Sequence, residues 1–164
     1  NKHLGHRLFL AIMKHLLSIL ILLGFISTAL AQQSFKPLSE YNQDHDISID
    51  NAALTYVLQR CSALYNTVQA LIIDQDKELS DKQFEASVFL GNLAVMLHAS
   101  IKDLDLGTSE KEVADLIKAK VTIYLEDAKA NYIKTGSYVM DTYIESDLTY
   151  CKVLAEGLDK GMTE

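Results

Sequence analysis

The chain has 164 residues, 22 acidic against 15 basic, for a formal charge of −7, and 49% of its residues are hydrophobic. An acidic surface repels phosphate backbones and anionic headgroups, and no cluster of Lys and Arg offsets it, which argues against nucleic-acid binding and peripheral membrane attachment. The length suits one domain able to bury a core.

In chain order, Met13, Lys14 and His15 precede an apolar run from Leu16 to Ile26, and Ala29-Leu30-Ala31 places small residues where a signal peptidase needs them. That layout predicts a cleavable signal peptide over 13–31, cut after Ala31. Residues 1–12, NKHLGHRLFLAI, then read as a spurious upstream extension in which His3 and His6 carry no functional weight. The competing reading is a retained anchor lengthened by Leu8 to Ile12. It would put Lys14 and His15 inside lipid, where charge is costly. No cysteine follows the apolar run, which argues against a lipoprotein. The expectation is a periplasmic or secreted protein with no stable membrane insertion after cleavage. Removing 1–31 takes away Lys2, Arg7 and Lys14 and no acid, moving the formal charge from −7 to −10.

Residues 32–48 are polar, hold the only proline, Pro37, and show no sustained period, so an extended N-terminal segment is expected. From 49 to 164 the period is helical. A first helix starts near Ser48 to Asp50, with its stripe at Leu54, Val57/Leu58, Cys61, Leu64/Tyr65, Val68 and Leu71/Ile72. Ser80 to Gln83 fits a capping box opening a second helix to about Lys102. This helix is the most apolar, and so expected to be the most buried, with Ser87 and Gly91 shaped for close helix approach. Ser109 to Glu112 fits a second capping box for a third helix, which Gly136 ends. A fourth runs from about Ser137 to Leu158.

Cys61 and Cys151 fall mid-stripe on the first and last helices, and in an oxidising compartment such a pair reads as a disulfide. Free thiols are the alternative. The expected fold is therefore all-α: an antiparallel four-helix bundle, first and last helices linked by a disulfide.

Chemistry-bearing motifs are sparse. No Glu-x-x-His, His-Glu-x-x-His or Cys-x-x-Cys-His occurs, so neither the di-iron, zinc-protease nor covalent-haem pattern is present. His98, near Met96, is a candidate haem ligand weighed against a hydrogen-bonded core histidine. The triplet Asp44-His45-Asp46 is a candidate divalent-ion site in the unpatterned lead-in. The sharpest near-miss is DQDKELSDKQFE, 74–85, where Asp74, Asp76, Glu78 and Glu85 match acidic positions of a calcium loop. Leu79 replaces the glycine that loop needs for its turn, so an acidic interhelical loop is the favoured reading. Asp141 and Glu145 are a candidate acid/base pair against a solvated face. A Cys-His nucleophile would need a free thiol, and no Gly-x-Ser-x-Gly or Ser-x-x-Lys is present.

The eight tyrosines, Tyr124, Tyr132, Tyr143 and Tyr150 among them, suit a core boundary or a recognition surface. The expected role is a non-catalytic protein-interaction module engaging another periplasmic or extracellular protein, with no cofactor. The alternative is a ligand or metal carrier using the bundle interior or the acidic loop 74–85.

Overall fold

The computed structural model describes residues 34–163, so the readings for 1–12 and 13–31 lie outside the described residues. Five helices follow one another, with no strand among the described residues: α1 (Leu38–Asp44), α2 (Asn51–Ile72), α3 (Lys77–Lys102), α4 (Leu106–Thr135) and α5 (Tyr143–Thr163).

Helix α1 lies in the segment expected to be extended. Pro37 has its φ preset for a helix start, and its carbonyl accepts from the amides of Glu40 and Tyr41. Seven residues cannot hold a helix alone in water. What holds this one is tertiary: Leu38 is fully buried, and Phe35, Tyr41 and Ile47 pack against the core. The sequence signal was weak because a single apolar turn has no period to read.

Asp50 caps α2, its side chain accepting from the amides of Ala52 and Ala53. From Val57 to Tyr65 every residue of α2 is buried, because α3, α4 and α5 all pack on it. A helix enclosed in this way carries its polar residues inward, and Gln59, Arg60, Ser62 and Thr67 are all buried.

The capping boxes expected at Ser80 and Ser109 are each displaced by one turn. Asp76 caps α3 by accepting from the Leu79 amide, and Asp105 caps α4 by accepting from the Thr108 amide. An aspartate in each preceding loop takes the cap first, and the serine becomes an interior contact. Ser80 Oγ donates to the Gln69 carbonyl and Ser109 Oγ to that of Val95.

Helix α3 also departs from expectation in burial. It is long and apolar enough by composition to cross a membrane, yet most of its apolar stretch is not buried. One face packs inward through Ser87, Leu90, Ala94 and Ala99, while Phe84 and Met96 are 53% and 61% exposed. Helix α2, not α3, occupies the centre. The close approach expected at Ser87 and Gly91 is present: Ser62 Oγ donates to the Ser87 carbonyl at 2.9 Å. A Cβ on Gly91 would sit 3.2 Å from that same Oγ.

Gly136 ends α4 with φ 76°, its amide donating to the Tyr132 carbonyl. Residues 137–142 then form turns, so α5 starts at Tyr143, later than its periodicity suggested. Cys61 and Cys151 form a disulfide with Cα atoms 5.4 Å apart, joining α2 to α5.

Candidate functional site

The densest polar chemistry lies one residue from the disulfide on α2 and one helical turn from it on α5. Arg60 precedes Cys61, and Asp147 sits four residues before Cys151, so the staple that joins the cysteines brings this base and acid together. Arg60 Nη2 and Asp147 Oδ2 form an ion pair with both side chains almost wholly excluded from water. Tyr124 of α4 completes the cluster. Its hydroxyl accepts from Arg60 Nε at 3.1 Å and donates to Asp147 Oδ2 at 2.6 Å.

The N-terminal segment supplies the remaining partners. Arg60 Nη1 donates to the Lys36 carbonyl at 2.7 Å, and the Leu38 amide donates to Asp147 Oδ1 at 2.7 Å. The Phe35 ring lies 4.2 Å from the guanidinium carbon and packs on Tyr124 with centroids 4.9 Å apart. Asp147 thus receives three donors and Arg60 three acceptors under an aromatic lid. Such saturation is what a buried charge pair needs to offset its lost hydration.

Burial pushes the Asp147 carboxyl up, while Arg60, the Leu38 amide and Tyr124 pull against it. Burial would lower Arg60, but Tyr124 and Asp147 outweigh it and hold the guanidinium above its usual range. Burial, with Asp147 beside it, drives the Tyr124 hydroxyl far above the tyrosine range. Tyr143, whose hydroxyl donates to Asp127 at 2.5 Å, is raised for the same leading reason. Nearby, Lys120 is buried, donates to Gln59 Oε1 at 3.1 Å, and is lowered by burial and by Arg60. An acid or base works on a substrate it can touch. Arg60, Tyr124 and Asp147 are at most 1% exposed, and they clamp helices together.

The residues singled out from sequence are dispersed. Asp76 is the α3 cap, Glu78 pairs with Lys82 on the surface, and Asp74 and Glu85 are exposed. Among the described residues no three His, Cys, Asp or Glu side chains converge as a metal site. His98 is buried, with Nε2 2.9 Å from Glu112 across the α3–α4 contact. Asp44 pairs with Lys36, Asp46 accepts from Ser48, and His45 stacks on Tyr41, so that triplet points three ways. Asp141 lies before α5 with φ 59°. Its amide donates to Glu145 Oε2, so the two act as a helix start. Tyr132 stacks on Tyr138 at 4.4 Å, while Tyr150 lines a shallow apolar groove with Val153 and Leu154.

Sequence reasoning passed over Arg60, Asp147, Lys120 and Leu38. A usable signal existed for two of them. Arg60 falls three after Val57 and four before Leu64, and Asp147 three after Ile144 and four before Cys151, so both sit on apolar stripes.

A second groove of about 520 Å³ runs between α3 and α4. Phe84, Ser87, Val88 and Gly91 line it from α3 and Ile117 and Lys118 from α4. No known protein family, curated protein or solved structure matches the chain. The functional reading therefore rests on the site itself.

Proposed function

We propose that the chain is an exported, non-catalytic protein-interaction module, an antiparallel four-helix bundle of α2 to α5 that engages another periplasmic or extracellular protein. The single observation that carries this reading is the set of exposed apolar side chains on α3, with Phe84 and Val88 lining the groove between α3 and α4 and Met96 exposed further along the helix. An apolar groove wall rimmed by polar groups marks a binding site more often than it marks idle surface. From Ala86 to Ile101 the helix has no Asp, Glu, Lys or Arg in a chain carrying 22 acids. Charge-depleted centres are the compositional signature of interfaces.

Export is supported by the signal-like 13–31 and by the disulfide, which persists in oxidising compartments. The antiparallel order is supported by three-residue and four-residue connections, 103–105 and 73–76, since short links join antiparallel neighbours. Native mass spectrometry of exported material tests the reading. The wild-type chain, starting at Gln32, is expected in a complex of fixed stoichiometry, and F84D/M96D alone, with unchanged circular dichroism. A wild-type chain found alone, or carrying a metal or haem adduct, would reject it.

A further inference from the structure

We propose that the Cys61–Cys151 disulfide gates an N-terminal strap, residues 34–44, which docks only while the disulfide is intact. The docking platform is split between two helices. The Lys36 carbonyl binds Arg60 on α2, and the Leu38 amide binds Asp147 on α5. Neither helix holds both halves, so the strap can bind only when α2 and α5 are in register.

The disulfide sets that register. Arg60 is the neighbour of Cys61, and Asp147 lies one turn before Cys151 on the same helix. Helix α5 packs mainly on α2 and α1, and reaches α4 through the Tyr124–Asp147 and Tyr143–Asp127 hydrogen bonds. Reduction by an external dithiol breaks the sulfur–sulfur bond. Two electrons and two protons pass to Cys61 and Cys151, and the reductant closes to its own disulfide. What then holds α5 is its apolar face, the ion pair, the Tyr124 and Tyr143 hydrogen bonds with α4, and the strap. Of these the strap alone spans both halves of the platform and so depends most on the register of α2 and α5. The strap comes away while α2, α3 and α4, packed on one another, stay folded.

Coupling of this kind is reciprocal. Both cysteines are fully buried and share one core cluster with Leu38. A docked strap therefore shields the disulfide from external thiols, and an undocked strap exposes it.

Hydrogen exchange on the full chain tests the proposal, comparing the oxidised protein with C61A/C151A. The Leu38 amide is expected to accelerate at least roughly tenfold more than Leu64 and Leu90, whose own acceleration reports only the global loss of stability, as local opening requires. Unchanged exchange at Leu38 overturns the proposal. So does acceleration of Leu38, Leu64 and Leu90 in equal proportion, which would make the staple a support of the whole fold. Should C61A/C151A fail to fold, Phe35→Ala keeps the disulfide and tests the reverse direction. Its reduction by dithiothreitol is expected to be roughly tenfold faster than wild type under folding conditions, and an unchanged rate overturns the proposal.

Discussion

Arg60 and Asp147 stand 87 residues apart in the chain and meet as a buried ion pair beside the disulfide, with Tyr124 bridging them. Three helices and the N-terminal segment converge on two charges. Breaking such a pair from one side leaves the other charge uncompensated in the interior. Asp147→Ala is expected to lower unfolding free energy by about 3 to 5 kcal/mol, and replacing both partners, as in R60M/D147L, to recover most of that loss. Urea denaturation of D147A, R60M, D147L and R60M/D147L measures this, the last three closing the cycle. A double variant as unstable as the sum of the singles would show that the pair is not a coupled unit.

The staple itself closes a loop of sequence separation 90. In the chain-entropy account, C61A/C151A therefore loses roughly 4 to 5 kcal/mol. Thiol counting in denaturant should find no free thiol before reduction and two after. Two free thiols before reduction contradict the pairing.

Alkaline pH should act through the buried tyrosines. Tyr124 and Tyr143 both titrate above their ordinary value of 10.0, chiefly through burial. The folded state thus holds these protons more tightly than the unfolded chain does. Their contribution to stability is full below pH 10 and is lost as the pH rises past it towards the folded values. Absorbance at tyrosinate wavelengths should show exposed tyrosines ionising first, and the last two only as ellipticity collapses.

The displaced caps give a local test. Asp76→Ala and Asp105→Ala each remove a side-chain acceptor at a helix start, and each should cost about 1 kcal/mol. Ser80→Ala removes no cap, and its thermal shift should be smaller than that of Asp76→Ala. The reverse order would restore the capping box at Ser80.

Much of the fold was legible because helical period survives wherever one face is buried. Cys61, Leu64 and Cys151 fall where their spacing put them, and Gly136 breaks the chain as a glycine in a left-handed conformation does. The strap was illegible because Leu38 and Phe35 are ordered by distant partners, Asp147 and Arg60, which no local window contains. Burial of α3 was misjudged for a related reason. Hydropathy measures what a helix tolerates inside, while topology decides which helix sits at the centre, and α2 with its polar Gln59 and Arg60 takes that place. The clamp was hidden because a charged residue on an apolar stripe looks like an interruption until its partner is known.

The most direct test of the central claim, that function resides on the exposed apolar side chains of α3 and not in the buried cluster, is side-chain oxidative footprinting. Phe84 and Met96 both react readily with hydroxyl radical, and both are more than half exposed in the chain alone. The account predicts that they are protected in protein isolated with its natural partner and react freely in the chain refolded alone, with Tyr124 unreactive in both. Equal oxidation of Phe84 and Met96 in the two preparations would contradict it.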